Sequence, residues 1–321
     1  MRHDSSVNST RGMAIFTALK PSSTTFVMGR LPSVYPNFVL HRSGGCKIWF
    51  DPNYADPALV ALLKNPDGLF DRPGCEVIKD QRKIKVVRVV LDLGGARRCI
   101  YIKRYNAFSL RNRLASIFTR SGGVKSLRGA AILFRNGIAT AKPIAAFEDR
   151  LWGAVTRSFF LAEEIEGGVT VDSLWRETLS RQATPAGIRS RQAFLTSLGS
   201  LFHALHSQGV YHNDLKDANI LAATSTGNQR VGLFLLDLEG VRQYCAVSER
   251  RRIKNLVQLN RTLGRYLRNA QKLFVLRAYL DRDFAIAQIR RRIIGQVVRE
   301  SKRLDAVKLR HGAGAPALVR D

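Results

Sequence analysis

The sequence is poor in acidic residues, in cysteine and in long apolar runs, and each shortage excludes a class of protein. Its 321 residues include 25 Asp and Glu against 52 Lys and Arg, which gives a formal net charge of +27 at pH 7. No apolar run reaches the roughly 18 residues that a membrane-spanning helix requires. The four cysteines are scattered and show no spacing typical of a metal site: Cys46, Cys75, Cys99 and Cys245. We therefore expect a cytoplasmic protein with reduced thiols and neither a disulfide framework nor a zinc site.

The acidic residues are missing from one long stretch in particular. Between Leu93 and Phe147 there is no Asp or Glu, although eleven Lys and Arg occur there. A second tract, Arg250 to Arg303, has sixteen basic residues against three acidic ones. Such surfaces attract phosphorylated substrates, nucleic acid or an anionic membrane leaflet, and charge alone does not choose among them. An arginine-rich surface that only interacts with water is the alternative.

The hydrophobic patterning divides the chain into a β-rich amino half and a helical carboxyl half. Residues 1–36 are rich in Ser, Thr and Pro, and we expect a poorly ordered extension there. Two alternating runs, 84–90 and 99–105, are joined through Gly94-Gly95 and predict a hairpin. A helical period over 110–136 ends at Gly137, and strands are predicted at 142–147 and 151–162. We therefore place an amino-terminal lobe at 37–162, a helical lobe at 163–308 and a tail at 309–321.

One segment of the carboxyl half concentrates polar residues of several kinds. His212, Asp214, Lys216 and Asn219 fall within eight residues, after an amphipathic helix that ends at Gly209. Asp237 follows Asn219 by eighteen residues and ends the apolar strand 231–236. A base carboxylate, an amide oxygen and a second carboxylate can converge on a metal-bound triphosphate. Phosphoryl transfer needs little beyond such positioning and charge neutralisation.

The segment His212-Asn-Asp214-Leu-Lys216-x-x-Asn219 resembles the catalytic loop of the protein-kinase superfamily, H-R-D-L-K-x-x-N. Over roughly residues 70–265 the chain also resembles a bacterial branch of that superfamily, the lipopolysaccharide core (Kdo/heptose) kinases. The motifs that carry this second resemblance are Tyr101-Ile-Lys103-Arg-Tyr105, Asn136-Gly137-Ile-Ala-Thr140-Ala-Lys-Pro143, the catalytic loop and Leu236-Asp237-Leu238-Glu239. The resemblance implies an α+β fold with the two lobes of a protein kinase, a β-rich N-lobe and an α-helical C-lobe. It also implies an enzyme that uses ATP and Mg²⁺ to phosphorylate a sugar hydroxyl.

The resemblance also implies roles for individual residues. Asp214 would orient or deprotonate the acceptor hydroxyl, Lys216 would neutralise charge on the transferring phosphoryl group, and His212 would brace the loop. Asn219 and Asp237 would hold Mg²⁺. Lys103 would contact the α- and β-phosphates of the nucleotide.

The adenine would bind at a hinge, for which the sequence suggests one location. Glu163, Glu164 and Glu166 precede Gly167-Gly168 at the predicted lobe junction. The resemblance implies that backbone groups of this hinge bind the adenine edge. We expect the glutamates themselves to be solvated, and Glu166 is the one that we take as a candidate nucleotide-binding residue.

Two features depart from the kinase pattern. Kinases pair the strand lysine with a glutamate on a helix, but the stretch between Leu93 and Phe147 offers no acidic residue. Lys103 is therefore held by phosphate alone or by an acidic group elsewhere, and Gly129 lies near where the glutamate would be sought. No G-x-G-x-x-G precedes Lys103 either. We expect a turn at 75–83 to cover the phosphates with its backbone and with Lys79, Arg82 or Lys83.

Three functions remain open at this point. A kinase for the inner core of lipopolysaccharide would take an anionic glycolipid or phosphorylated sugar at the cytoplasmic face of the inner membrane, which the basic surface suits. A Ser/Thr protein kinase is disfavoured because no Ala-Pro-Glu signature follows Asp237. The third is a pseudokinase that binds a ligand without catalysis. We expect no specific nucleic acid partner, and a core or loop-bracing role for His203 and His206 instead of a metal site. The oligomeric state is not indicated.

Overall fold

Seven antiparallel strands form the sheet of the amino-terminal lobe. The computed structural model describes residues 37–54, 57–106, 114–224 and 231–310, so the predicted extension and most of the tail lie outside the described residues. The strands occur in the order β1-β2-β6-β7-β5-β4-β3 across the sheet. Their bounds are β1 Val39–Ser43, β2 Cys46–Phe50, β3 Glu76–Gln81, β4 Ile84–Leu93, β5 Ala96–Tyr105, β6 Pro143–Leu151 and β7 Ala154–Glu163.

The hairpin that the sequence predicts is confirmed as β4 and β5, which pair from Ile84 with Tyr105 to Leu93 with Ala96. Gly94 and Gly95 form its two-residue loop with φ angles of 59° and 75°. Two consecutive positive φ angles match the right-handed twist of the strands and favour glycine. The turn places Lys103 on β5, near the end of the hairpin opposite this loop.

The expected turn at 75–83 is wrong in its secondary structure. Residues Glu76–Gln81 form β3, an exposed edge strand that pairs with β4, with a register shift between Val77 and Lys79. This strand lies entirely at the surface, so it lacks the buried apolar alternation by which strands are usually predicted. Only Arg82 and Lys83 remain as the turn between β3 and β4.

The predicted helix over 110–136 is shorter than expected. A 3-10 turn at Ser116–Phe118 precedes α2, which runs over Gly122–Arg135. Ser121 is the N-cap, because its side chain accepts a hydrogen bond from the backbone N–H of Val124 at 3.4 Å. The predicted C-terminal stop is confirmed, since Gly137 follows the helix with a φ of 63°. Residues 110–113, the first part of the predicted helix, lie outside the described residues.

The carboxyl-terminal half is mainly helical, as predicted. Its long helices are α3 Pro185–Ser207, α4 Glu249–Arg261, α5 Asn269–Leu280 and α6 Ala287–Arg310. The remaining helix of this numbering, α1 Pro57–Lys64, belongs to the amino-terminal lobe. Two small antiparallel sheets complete the carboxyl-terminal half: β11 Val231–Leu235 with β10 Ile220–Thr224 and β8 Val169–Thr170, and β12 Val241–Gln243 with β9 Val210–His212. The β-rich lobe followed by a helical lobe confirms the predicted α+β, kinase-like fold class. Among the described residues, no helix is long and apolar enough to cross a membrane.

Two apolar cores lie on opposite faces of the seven-stranded sheet. One contains Ile100, Phe147 and Phe159 and closes under α1. The other joins α2 and the sheet residue Phe160 to the helices of the carboxyl half. Since α2 belongs to this shared core, the lobes pack through it and the facing side of the sheet. Lys103 pairs in register with Phe160 across β5 and β7, so its side chain leaves the sheet on this shared face.

Candidate active site

The catalytic loop begins on β9 and is held by His212. This histidine is fully buried, and its strand pairs it with Val241 of β12. Its Nε2–H donates to the carbonyl of Leu236 at 2.8 Å, while its Nδ1 accepts from the backbone N–H of Asp214 at 3.2 Å. Burial holds the pKa of His212 below its ordinary value, which keeps the ring neutral and Nδ1 available as an acceptor. His212 thus connects the loop of Asp214 to the strand end before Asp237.

Asp214 is surrounded by three side chains that fix its carboxylate. The Lys216 ammonium lies 2.7 Å from Oδ2, and the Asn219 amide donates to the backbone carbonyl at 2.7 Å and to Oδ2 at 3.2 Å. From α4, the Gln258 amide donates to Oδ1 at 3.4 Å. The Asp214 side chain is 42% exposed, so it can still meet a substrate. The structure therefore brings together Asp214, Lys216 and Asn219, as the sequence predicts.

Asp237 lies beside this loop because backbone hydrogen bonds join their segments, one of them from the Asn213 N–H to the Gly240 carbonyl at 3.2 Å. The Leu236 N–H donates to the Asn219 carbonyl at 2.9 Å, directly before Asp237. Asp237 has φ 56° and ψ 56°, a left-handed conformation that Asp adopts more readily than most residues. The turn directs its carboxylate toward the sheet of the amino-terminal lobe.

Lys103 forms an ion pair with Asp237, its Nζ lying 2.5 Å from Oδ1. Burial alone would lower the lysine pKa, but Tyr105 and the Asp237 carboxylate outweigh it and the pKa is raised. For Asp237, burial alone would raise the pKa, but Lys103 outweighs it and the pKa is lowered. Both groups are therefore charged at neutral pH. Of the two alternatives left open by the sequence, an acidic group elsewhere is the one that the structure presents.

Lys79 lies in the same row of the sheet as Lys103. Lys79 pairs with Val86, and Val86 pairs with Lys103. Directly paired residues project on the same face, and strands lie about 4.8 Å apart, so the two lysines are separated by roughly 10 Å across the sheet. Lys79 is therefore positioned on the side of the sheet that carries Lys103, although its strand is exposed.

Helix α2 contacts the segment after Asp237 through a glycine. A Cβ atom at Gly129 would overlap the backbone carbonyl of Leu238, which explains why the position cannot hold a glutamate. Glu239, on the turn Leu238–Gly240, acts electrostatically on Lys103, and Lys125 of α2 acts on Glu239. Burial raises the pKa of Glu239 against the opposing effect of Lys103. The acidic residues near Lys103 thus come from the segment after β11, and α2 contributes a lysine there and no acidic residue.

The lobe junction differs from the prediction. Glu163 accepts from Tyr54 at 2.8 Å and pairs with Arg98 at 2.7 Å, whereas Glu164 accepts two hydrogen bonds from Arg88, both at 2.9 Å. The expectation that they are solvated is therefore wrong for these two, because arginines of β4 and β5 reach them. Glu166 is exposed between β7 and β8, and it does not contact Asp214, Lys216 or Asn219 in any hydrogen bond or ion pair of the described residues. Its role as a nucleotide-binding residue stays a prediction.

A buried series of hydrogen bonds between side chains supports the catalytic loop on the side of α3 and α4. The Tyr279 hydroxyl donates to His206 Nδ1 at 3.0 Å, His206 Nε2–H donates to Asn255 at 3.0 Å, and Asn255 donates to the His212 carbonyl at 2.7 Å. Burial lowers the pKa of His206 to about 4. The Nδ1–H of His203 donates to the backbone carbonyl of Tyr279 at 2.8 Å. His206 thus has the loop-bracing role that the sequence favoured, while His203 links α3 to the end of α5. Among the residues that the structure describes, no group of three His, Cys, Asp or Glu could hold a metal ion.

Asn255 and Gln258 are the supporting residues that sequence reasoning missed. Both lie on α4, whose apolar face is buried, and Asn255 is fully buried there. Gln258 also accepts from the Leu215 N–H at 3.2 Å. A usable signal existed, because a polar residue on the apolar face of an amphipathic helix needs a buried partner.

A cavity of about 290 Å³ opens next to Asp214. Among its lining residues Asp214 is the only acidic one, and Gln258 and Thr262 are uncharged. The other four are basic: Lys216, Arg261, Arg265 and Lys308. Two of these, Arg261 and Arg265, pair with Asp305 at 2.9 Å and 3.4 Å. A positively charged cavity beside a candidate base suits an anionic acceptor.

The donor set of the site fits a magnesium nucleotide. Mg²⁺ prefers hard oxygen ligands and keeps several ligands from water and phosphate, so one carboxylate and one amide oxygen suffice from the protein. Asp237 and Asn219 supply these two oxygens on adjacent segments. Lys103 and Lys216 add positive charge on either side, as phosphate binding requires.

Comparison with known proteins agrees with this geometry. The profile of a family described as "Lipopolysaccharide kinase (Kdo/WaaP) family" matches residues 79–279. Among solved structures, the chain is similar to one titled "WaaP in complex with acyl carrier protein", with 20% identity and a TM-score of 0.57. That match covers 78% of this chain and 97% of the other, and at this identity it shows the fold alone. No curated protein matches at the required significance.

Proposed function

Since this chain belongs to the lipopolysaccharide kinase (Kdo/WaaP) family, we propose that it uses ATP and Mg²⁺ to phosphorylate a sugar hydroxyl of the lipopolysaccharide inner core. The observation that carries the proposal is the convergence of Asp214, Asn219 and Asp237 beside Lys103, with a basic cavity on the side of Asp214. The acceptor is an anionic glycolipid or phosphorylated sugar.

Asp214 is the group that receives the acceptor proton. Its carboxylate is held by Lys216, Asn219 and Gln258 and remains partly exposed. The acceptor oxygen bonds to the γ-phosphorus as the bond from that phosphorus to the β,γ-bridging oxygen breaks, and the hydroxyl proton passes to Asp214. ADP leaves with the bridging oxygen. Lys216 remains beside the carboxylate, where its charge also stabilises the oxygens of the transferred group.

Lys103 contacts the nucleotide phosphates, and Asn219 and Asp237 would hold Mg²⁺ against them. Mg²⁺ held by Asn219 and Asp237 would supply charge neutralisation to the phosphates during transfer. Lys103 places its ammonium where the α- and β-phosphates are expected, while Lys79, from the same face of the sheet, is available to the outer phosphates. The Lys103–Asp237 ion pair holds both side chains in position before the nucleotide arrives.

The acceptor enters the cavity that Asp214 shares with Lys216, Arg265 and Lys308. Phosphate and carboxylate groups of inner-core sugars complement a lining in which four basic residues face one carboxylate, whereas a neutral sugar adds no negative charge. The net charge of +27 further supports work at the cytoplasmic face of the inner membrane, where this glycolipid acceptor would be presented by an anionic surface.

Transfer of labelled γ-phosphate to purified core oligosaccharide tests the proposal. We expect transfer that requires both ATP and Mg²⁺, and we expect Asp214→Ala to lower kcat by about 10²–10⁴-fold, the usual effect of removing an acid–base group. Asp92→Asn is the matched control, because Asp92 is an exposed aspartate on β4, outside the site.

Unchanged turnover in Asp214→Ala would reject Asp214 as the base. Transfer to generic peptides but not to the oligosaccharide would favour a Ser/Thr protein kinase. No transfer to either acceptor, with ATP still bound, would leave a pseudokinase.

A further inference from the structure

Two aromatic side chains stand out from the surface of the amino-terminal lobe. Trp152 is 93% exposed and Phe118 is 89% exposed, whereas no other large apolar residue among those described exceeds 56%. Trp152 lies at the tip of the β6–β7 hairpin, and Phe118 ends the 3-10 turn that precedes α2. Exposed apolar residues that cluster together, unlike scattered single ones, indicate a surface that another partner covers.

Hydrogen bonds join the tip of the β6–β7 hairpin to the 3-10 turn. Arg150 donates to the carbonyls of Ser116 at 3.0 Å and of Thr119 at 2.9 Å, and the Val155 N–H donates to the Ser116 hydroxyl at 2.8 Å. The position of a Cβ at Gly153 is 3.6 Å from Ile117. The two aromatic residues therefore lie on adjoining turns that these hydrogen bonds hold together.

Arginines continue this surface along α2. Arg120 directly precedes the helix N-cap, Arg128 lies on the helix, and Arg242 lies on β12. Helix α2 packs against β12, the strand that carries Arg242. Burial together with repulsion by Arg120, Arg242 and Arg135 lowers the pKa of Arg128. An arginine cluster of this kind attracts anionic groups from outside.

The carboxylates of the neighbouring hairpin do not neutralise the arginines. Glu148 is buried and pairs with Arg150 at 2.7 Å, and Asp149 pairs with Arg157 at 3.0 Å. The stretch between Leu93 and Phe147 contributes no acidic residue at all. The surface is therefore both aromatic and strongly cationic.

We propose that Phe118, Trp152, Arg120, Arg128 and Arg242 form a docking surface for an anionic lipid bilayer. The proposal rests on the proposed function, because it identifies how an enzyme with a glycolipid acceptor would be held at the membrane. Tryptophan and phenylalanine insert at the level of the lipid headgroups, and arginines bind the lipid phosphates. The aromatic residues enter the bilayer boundary, while the arginines neutralise the headgroups around them.

The docking surface adjoins the catalytic loop through β12. Arg242 pairs in register with Tyr211, the residue before His212. Arg242 also donates to the Glu239 carbonyl at 2.7 Å, on the turn that follows Asp237. A bilayer bound to this surface would therefore lie next to the segments that hold Asp214 and Asp237.

Tryptophan fluorescence gives a direct test, because Trp152 is the only exposed tryptophan of three. Trp49 is 7% exposed and Trp175 is 1% exposed. With vesicles of phosphatidylglycerol and phosphatidylcholine, we expect a blue shift of the emission and quenching by brominated lipid, both absent in Trp152→Phe. Vesicles of phosphatidylcholine alone should give neither change, because the arginines then lack an anionic partner.

Cosedimentation with the same vesicles measures the contribution of each half of the surface. We expect Phe118→Ser/Trp152→Ser and Arg120→Gln/Arg128→Gln each to lower the partition coefficient at least tenfold at low salt. The matched control for charge is Arg291→Gln/Arg299→Gln, which removes two exposed arginines from α6. The control for apolar area is Val307→Ser/Leu309→Ser on the same helix. Both controls should bind like the unmodified protein.

Three outcomes would overturn the proposal. The first is an emission that does not respond to anionic vesicles, and the second is equal partitioning of all variants. The third is a dimer in light scattering that Phe118→Ser/Trp152→Ser dissociates while vesicle binding is unchanged, which would make the surface an interface between copies. Phosphate transfer to soluble core oligosaccharide should be unchanged in this aromatic variant. Transfer without vesicle binding would refute the docking surface alone, and vesicle binding without transfer would refute the proposed function alone.

Discussion

The ion pair between Lys103 and Asp237 is the residue-level feature that the sequence could not supply. The resemblance implied phosphate contacts for Lys103 and metal binding for Asp237, and 134 residues separate the two in the chain. The missing helix glutamate was visible in the sequence, and it required another partner for the lysine. Which carboxylate takes that place depends on the left-handed turn at Asp237, and neither periodicity nor spacing encodes such a turn.

A double-mutant cycle on this pair measures its strength. Lys103 and Asp237 are 18% and 31% exposed, so each of Lys103→Met and Asp237→Asn leaves a mostly buried charge unpaired. We expect each single variant to lower the free energy of unfolding by about 1–3 kcal/mol. The double variant should lose clearly less than the sum, since it leaves no unpaired charge. Urea denaturation measures all four proteins.

The exposed pair Arg303–Glu300 provides the control cycle, with side chains that are 62% and 38% exposed. Its coupling should stay below about 0.5 kcal/mol, as is usual for surface pairs on helices. Additive losses at Lys103 and Asp237 would show that their contact does not persist in solution.

At the scale of elements, the position of α2 is set by its glycine. Gly129 packs against the backbone of Leu238, so the helix approaches the turn after Asp237 more closely than any side chain would permit. The helical period predicted α2 and its end at Gly137, whereas the Ser121 N-cap and the break before it were missed. A capping side chain is a local hydrogen bond and leaves no trace in an apolar period.

Alanine substitutions at two helical glycines test this contact. Gly129→Ala should lower the free energy of unfolding by about 1–3 kcal/mol, because overpacking against a backbone carbonyl outweighs the better helix propensity. Gly295→Ala on α6 has open space around it and should raise the stability by about 0.5–1 kcal/mol. Thermal or urea unfolding compares the two. A Gly129→Ala protein as stable as Gly295→Ala would refute the close packing.

Other element-level features were predictable to different degrees. The β4–β5 hairpin, the stop at Gly209 and the segment His212 to Asn219 followed from alternation, glycine and motif spacing. Strand β3 was missed because it is exposed along its whole length. Asn255 and Gln258 were missed because a helical pattern shows which face is buried but not which polar atoms that face must reach.

At the scale of the whole molecule, the buried series of hydrogen bonds from Tyr279 through His206 to His212 makes the free energy of unfolding depend on pH. Burial lowers the pKa of His206 from 6.5 to about 4 and also lowers that of His212. Between about pH 4 and pH 6.5, His206 therefore binds more protons in the unfolded state than in the folded state. Stability is therefore complete above about pH 6.5 and falls as the pH decreases toward 4.

From His206 alone we expect the free energy of unfolding to be about 2 kcal/mol lower at pH 5 than at pH 7. Urea denaturation at the two pH values measures the difference. His206→Gln loses hydrogen bonds and some stability at both values, so the informative quantity is the difference within each protein. In His206→Gln, the difference in the free energy of unfolding between the two pH values should be smaller by most of the ~2 kcal/mol that His206 contributes. An equal pH difference in both proteins would show that His206 is not the titrating group.

The central claim is that Asn219, Asp237 and Lys103 form one site for a magnesium nucleotide. The most direct measurement is the melting temperature at fixed ATP while Mg²⁺ is titrated, since a ligand that binds only the folded state raises it. We predict a rise that requires Mg²⁺ in the unmodified protein and in the control Asp92→Asn. Asn219→Ala and Asp237→Asn should lose the magnesium-dependent part. A full magnesium-dependent rise in both variants would contradict the account.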